Sequence, residues 1–153
     1  MVKYKFPDGF WWGSAASGPQ TEGRVKGDGK ADNIWDHWYK KEPEKFFNQV
    51  GPQNTSKVYQ SYKEDVQLMK KSGHNTFRTS IQWSRLIPNS DGKVNSEAVK
   101  FYDDYFNELL ENGIEPFVNL FHFDMPMRLQ EMGGWLNRET VEAYVHYAET
   151  CFE

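Results

Sequence analysis

The feature that most constrains the fold of this chain is an alternation of short apolar segments with longer amphipathic ones. Three segments rich in aromatic, β-branched or small residues are predicted to be strands: residues 10–16, 75–83 and 115–121. Apolar residues recur at helical spacing over residues 58–72, again from Ser96, and after Asn137, a residue type that caps helices. Strands that alternate with helices form a parallel sheet covered by helices. We therefore predict an α/β fold of three βα units, with buried parallel strands.

Two architectures contain such units, an open doubly wound sheet and a closed barrel. An open dinucleotide-binding sheet needs a glycine fingerprint after its first strand, but the long first connection here contains neither that pattern nor a phosphate-binding loop motif. Nucleotide binding is therefore disfavoured. A barrel of eight units needs about 250 residues, and this chain has 153. We therefore infer a fragment of a larger domain, or one piece of a nicked chain.

Charge and hydropathy indicate which kinds of molecule this chain is expected to bind. The net charge is −4, and the 18 basic residues are spread along the chain without a basic stripe for nucleic acid. No apolar run approaches the roughly 20 residues that span a bilayer, and the first residues lack the apolar core of a signal peptide. We therefore expect a small-molecule ligand, no nucleic-acid or membrane partner, and a cytoplasmic location. The single cysteine, Cys151, lies on an apolar helix face, which favours packing over chemistry.

Polar residues concentrate where the predicted strands end. In a barrel, ligand-binding residues lie at the C-terminal ends of strands and in the loops that follow, because all strands point to one mouth. That rule selects three clusters: residues 17–23, 78–85 and 122–126.

Around these clusters the chain resembles glycoside hydrolase family 1. The matching segments follow the family's order over nearly the whole chain: Gly-Ser-Ala-Ala at 13–16 leading to Gln-Thr-Glu-Gly at 20–23, Ile-Trp-Asp at 34–36, Tyr-Lys-Glu-Asp-Val at 62–66, Phe-Arg-Thr-Ser-Ile-Gln-Trp-Ser-Arg at 77–85, Asn-Leu-Phe-His-Phe-Asp-Met-Pro at 119–126, and Gly-Gly-Trp at 133–135. The resemblance implies a TIM (β/α)8 barrel, with residues 1–153 as the N-terminal portion of that single barrel domain.

The resemblance also implies that Gln20 and His122 bind hydroxyl groups of a sugar ring. An amide and an imidazole suit that role because they offer both donors and acceptors. The alternative for His122 is a core histidine with satisfied hydrogen bonds. Phe123 replaces the tryptophan common in the family, so ring packing against substrate is expected there without an indole hydrogen bond.

In the family, the arginine that matches Arg78 contacts the nucleophilic glutamate, where a cation keeps the carboxylate ionised. The alternative is a structural ion pair of Arg78 with Asp124 or Glu22, since a guanidinium in an apolar strand needs a carboxylate partner. Asp124 is expected to be structural. Three tryptophans are expected to pack against other side chains rather than bind sugar: Trp35, Trp83 and Trp135.

The chain contains neither of the family's catalytic motifs. Retaining glycosidases use two carboxyl groups about 5–5.5 Å apart, and the family's two glutamates lie in Asn-Glu-Pro-like and Glu-Asn-Gly-like motifs, which we expect beyond Glu153. No catalytic residue is therefore assigned, and no cofactor is expected. The ligand types in the segments 32–37 and 122–124 specify no metal geometry, so no metal is expected.

Within the family, the segments 17–23 and 122–127 most resemble bacterial 6-phospho-β-glucosidases. The predicted function is a retaining glycosidase acting on phosphorylated or plain β-glucosides, with an inactive fragment when this chain is alone. Alternatives are a β-glucosidase, a 6-phospho-β-galactosidase, or a non-catalytic sugar-binding or assembly piece. The chain is also expected to associate with remaining barrel segments or as a homo-oligomer.

Overall fold

A computed structural model of the chain describes residues 3–153 and contains a three-stranded parallel sheet with helices. The strands are β1 (Gly13–Ala15), β2 (Thr76–Ser80) and β3 (Glu115–Asn119). The longer helices are α2 (Ile34–Lys41), α3 (Val58–Lys71), α5 (Ser96–Glu111) and α7 (Arg138–Phe152), and the shorter ones are α1 (Gly18–Thr21), α4 (Trp83–Leu86) and α6 (Met127–Glu131). Short 3-10 turns cover Pro43–Lys45, Phe47–Gln49 and Gly134–Leu136. The predicted α/β class and the parallel strands are confirmed.

The order of the sheet is β1-β2-β3, with each strand paired in parallel to its neighbour in sequence. Ala15, Arg78 and Phe117 are in register and therefore share one face of the sheet. The prediction that all strands are buried is wrong for β1 and β3, because each is an edge strand paired on one side. All residues of β1 are exposed, and those of β3 alternate between exposed and half-buried. The predicted second strand was also too long, since the chain turns into α4 at Trp83.

The hydrophobic core lies between the sheet and the helices that cover its other face. Fully buried residues come from four helices: Val66 on α3, Trp83 on α4, Leu109 on α5 and Tyr147 on α7. Aromatic rings fill much of this space, and the rings of Trp83 and Tyr147 stack with centroids 5.1 Å apart. The high aromatic content therefore serves core packing on this side of the sheet.

Local sequence determines where the helices begin and end. The Asn137 side chain accepts a hydrogen bond from the backbone N–H of Glu139, so the predicted cap of α7 is confirmed. Gly73 and Gly113 follow α3 and α5 with φ of +82° and +73°, a left-handed conformation that glycine adopts without strain. Within residues 3–153, none of the helices combines the length and apolar character needed to cross a bilayer.

Candidate functional site

A cavity of about 390 Å³ opens beside the C-terminal ends of β1 and β3. Its wall combines three polar side chains, Gln20, Thr55 and His122, with a mainly apolar surface. The lining residues are Pro19, Gln20, Trp35, Phe46, Val50, Gly51, Pro52, Thr55, His122 and Phe123. Three residues predicted to bind substrate, Gln20, His122 and Phe123, are therefore brought together at one concave surface.

The single-turn helix α1 holds Gln20 at the cavity. The backbone N–H of Gly18 donates to Ser80 Oγ over 2.8 Å, which ties the turn to the end of β2. No side chain fits at Gly18, because a Cβ there would lie 2.5 Å from Gln82 Cγ. Glycine at this position therefore permits the close approach of α1 to β2.

His122 is held by the residue two positions after it. Asp124 accepts a hydrogen bond from the backbone N–H of His122 at Oδ1, over 3.1 Å, and one from Trp83 N at Oδ2, over 2.9 Å. Asp124 is fully buried, so its expected structural role fits the geometry. The His122 ring lines the cavity, which excludes the alternative of a core histidine. Burial, and then the nearby Arg78 cation, lower the pKa of His122, so its imidazole is neutral at neutral pH.

Phe123 has an unusual backbone conformation for an aromatic residue. Its φ is +59°, in the left-handed region that costs of order 1–3 kcal/mol outside glycine. The Trp35 indole N–H donates to the carbonyl of Phe123 over 2.7 Å and helps to hold this conformation. The Phe123 side chain is 64% exposed at the cavity. Trp35 also lines the cavity, whereas the sequence predicted a packing role for it rather than contact with sugar.

Arg78 lies on the face of the sheet opposite the helices, and it is half-buried. Its Nη1 donates to the carbonyl of Ala16 over 3.0 Å and lies 3.5 Å from His122 Nδ1. The alternative prediction of an ion pair with Asp124 or Glu22 is wrong, because Asp124 accepts backbone N–H groups and Glu22 binds other donors. Among residues 3–153, Arg78 forms no ion pair, so its remaining N–H groups can still bind a carboxylate.

Two carboxylates considered for a metal are engaged in ion pairs. Asp32 binds Arg24 and Lys40, and Asp36 binds Lys30 and the backbone at the start of α2. In the described part of the chain, no three His, Cys, Asp or Glu residues are grouped to hold a metal ion.

Comparison with known proteins assigns this chain to a family. The family model for glycosyl hydrolase family 1 matches residues 2–153. The chain belongs to this family. It is 62% identical over 150 residues to the 6-phospho-beta-glucosidase GmuD of Bacillus subtilis, covering 98% of this chain and 32% of that protein. It is 43% identical over 148 residues to a 6-phospho-beta-galactosidase of Clostridium acetobutylicum, covering 97% of this chain and 30% of that protein.

Solved structures give the same family assignment. The chain matches aphid myrosinase with a TM-score of 0.90 at 34% identity, covering 97% of this chain and 32% of that one. It matches the psychrophilic beta-glucosidase BglU from Micrococcus antarcticus with a TM-score of 0.89 at 41% identity, covering 96% of this chain and 31% of that one. The chain thus spans about a third of the length of these relatives. The predicted fold, the first three βα units of a family 1 TIM barrel, is confirmed.

A buried ionic network that the sequence did not predict supports the site. Arg85 is fully buried, with Nε 2.7 Å from Glu22 Oε2 and Nη1 2.9 Å from Asp28 Oδ2. Burial disfavours its charge, but the two carboxylates outweigh burial and raise the pKa of Arg85 above its usual value. The guanidinium also lies 4.2 Å from the centre of the Tyr59 ring. A buried arginine needs carboxylate partners. The sequence signal for this network was Arg85 itself, which ends the segment 77–85 just after a predicted strand.

Gln82 extends this network towards the cavity wall. Its Nε2 donates to Glu22 over 2.7 Å, and its Oε1 accepts from the Asn33 side chain over 3.3 Å. Asn33 caps α2, the helix that carries Trp35. Polar contacts of Gln82 therefore fix the long connection between β1 and α3 to the segment that follows β2.

Proposed function

We propose that the protein containing this chain is a retaining β-glycosidase and that residues 1–153 form the N-terminal portion of its single barrel domain. The observation that carries the proposal is that Gln20 and His122 line one cavity at the strand ends. Membership of glycosyl hydrolase family 1 supports it. An amide and a neutral imidazole provide the donors and acceptors that bind ring hydroxyls, and the apolar wall fits the carbon faces of a sugar.

The proposed substrate is a 6-phospho-β-glucoside. Identity to the Bacillus subtilis 6-phospho-beta-glucosidase is 62%, whereas the beta-glucosidases and the 6-phospho-beta-galactosidase match at 40 to 44%. A cytoplasmic location is part of the proposal, because a phosphorylated sugar is charged and does not leave the cell through a bilayer. A plain β-glucoside is the second candidate, favoured by the structural match to BglU.

In the proposed mechanism, one glutamic acid protonates the leaving oxygen, a second glutamate attacks the anomeric carbon, and water hydrolyses the glycosyl-enzyme. Gln20 and His122 orient the ring, Phe123 packs against the ligand, and Arg78 donates N–H groups to the attacking carboxylate. The described residues that line the cavity include no carboxylate. We therefore expect the isolated chain to bind sugar weakly and to hydrolyse none, and we place both glutamates on other strands of the barrel.

The test is hydrolysis of p-nitrophenyl β-glucoside, its 6-phosphate and the corresponding galactoside 6-phosphate by the product of the coding sequence that contains this chain. We expect kcat/KM about 100-fold higher for the glucoside 6-phosphate, a ratio typical of a lost charge-assisted contact. Equal or faster turnover of the plain glucoside would assign a β-glucosidase instead, and preference for the galactoside would assign a 6-phospho-β-galactosidase. Turnover by the pure 153-residue chain would contradict its expected inactivity.

A further inference from the structure

Ser17 precedes α1 and is fully buried beside the cavity residue Gln20. Its hydroxyl donates to Gln20 Oε1 over 2.6 Å. Gln20 itself is exposed at the cavity, and its amide nitrogen makes no hydrogen bond to the residues that the structure describes. A buried hydroxyl and a ligand-facing amide are thus directly coupled.

This contact favours one of the two orientations of the amide. With the oxygen towards Ser17, the hydroxyl proton has an acceptor. With the amide reversed, Gln20 Nε2 would donate to Ser17 Oγ, and the hydroxyl proton would have no acceptor among the residues that the structure describes. Leaving a buried donor unsatisfied is the more costly arrangement, since water cannot reach it.

The turn around Ser17 is held by further contacts. Its carbonyl accepts from Thr21 Oγ1 over 2.8 Å and from the backbone N–H of Gln20 over 3.1 Å. Pro19 restricts the backbone in the first turn of α1. The hydroxyl of Ser17 therefore has a fixed position relative to the cavity.

We propose that Ser17 is a positioning residue that turns the nitrogen of the Gln20 amide towards the cavity, so that Gln20 recognises a ligand oxygen as a hydrogen-bond donor. The inference rests on the proposed function, because the ligand oxygen is taken to be a ring hydroxyl of the sugar. A hydroxyl bound in this way acts as an acceptor. Fluorine, which accepts weakly but cannot donate, then replaces that hydroxyl better than hydrogen does.

The test uses phenyl β-C-glucoside, which is not hydrolysed, in the phosphorylated or plain form that the turnover assay prefers. Its monofluoro and monodeoxy derivatives at ring carbons 2, 3 and 4 are titrated calorimetrically into the complete protein. At one of these carbons, we expect the fluoro ligand to bind about threefold or more tightly than the deoxy ligand, the size of one modest hydrogen bond. In Ser17→Ala the amide is free to reverse, and this ratio falls to about one.

Thr21→Val is the matched control, since it removes a hydroxyl from the same turn without touching the amide of Gln20. It should keep the fluoro-to-deoxy ratio of the wild type. A wild-type ratio of one or less at all three carbons overturns the inference, as does an unchanged ratio in Ser17→Ala or an equal loss in Thr21→Val. If the parent C-glucoside does not bind and no glycoside is hydrolysed, the proposed function fails and this inference fails with it.

Discussion

Arg85 and Glu22 form a fully buried ion pair, with Nε of the arginine 2.7 Å from Oε2 of the glutamate. The pair joins α4 to Glu22, which follows α1 in the long connection that builds the cavity wall. The geometry of the candidate site therefore depends on charged residues that do not touch the cavity.

Removing the guanidinium should destabilise the fold strongly. In Arg85→Met, Glu22 and Asp28 remain buried without their cation, which costs about 3–5 kcal/mol of the free energy of unfolding. Urea denaturation followed by tryptophan fluorescence measures the change. Lys100→Met, which breaks an exposed pair with Asp104, is the control and should leave stability nearly unchanged. Equal effects of the two variants would contradict the role of burial.

Two adjacent leucines on α5 differ in burial, so their alanine variants distinguish the contribution of core packing from that of helix propensity. Leu109 is fully buried, whereas Leu110 is 50% exposed. Leu109→Ala should lower the free energy of unfolding by about 2–5 kcal/mol, because it leaves a cavity in the core. Leu110→Ala should change it by less than about 1 kcal/mol. Chemical denaturation of both variants measures the difference, and similar losses would show that α5 packs differently.

Asp124 should make stability depend on pH. Burial raises the pKa of its carboxyl to about 6, although backbone N–H groups of His122 and Trp83 oppose the shift. Because this value exceeds the roughly 3.9 of an unfolded aspartate, the folded state binds the proton more tightly. The resulting stabilisation is fully present below about pH 4 and is lost as pH rises through about 6.

Asp124→Asn cannot titrate at this position. We expect the stability of the wild type relative to this variant to fall by about 2–3 kcal/mol between pH 4 and pH 7. Denaturation curves at several pH values give this difference. A difference that stays constant or rises with pH would contradict the assignment.

Cys151 should be a slow nucleophile. Burial raises the pKa of its thiol to about 11, so the thiolate fraction near pH 8 is about 100-fold below that of an ordinary cysteine. Alkylation by iodoacetamide should be slowed by about that factor in the folded protein and should reach the normal rate in denaturant. Rapid alkylation of the native protein would show that the thiol is more accessible than its packing against the core indicates.

Removing the imidazole from the cavity should impair catalysis by the complete protein. His122→Ala is expected to lower kcat/KM about 100-fold if the ring binds a hydroxyl in the transition state. His146→Ala, which alters an exposed histidine on α7, is the control. Equal activity of both variants would remove His122 from the proposed sugar contacts.

Regular elements were predictable because their apolar periodicity reflects one covered face, as on α3 and α5. The common location of Gln20 and His122 was predictable because residues at parallel strand ends converge. The family resemblance indicated that these two side chains are the ones that bind sugar. The rest of the cavity wall was not predictable. Trp35 lies on α2, whereas Phe46 and Val50 lie beside the short 3-10 turns of the β1–α3 connection, where no regular element predicts which side chains face the cavity. Buried polar contacts such as Arg85 with Asp28 fix its path, and such long-range pairs leave no local pattern in the sequence.

The left-handed backbone of Phe123 has a consequence for engineering. Glycine adopts this conformation without strain, so Phe123→Gly should relieve local strain, at the cost of greater backbone freedom in the unfolded chain, while removing the ring from the wall. Selection for thermal resistance and selection for ligand affinity would then favour different residues at this one position. A strained aromatic residue at the cavity is the expected result where ligand affinity is gained at the expense of folding stability.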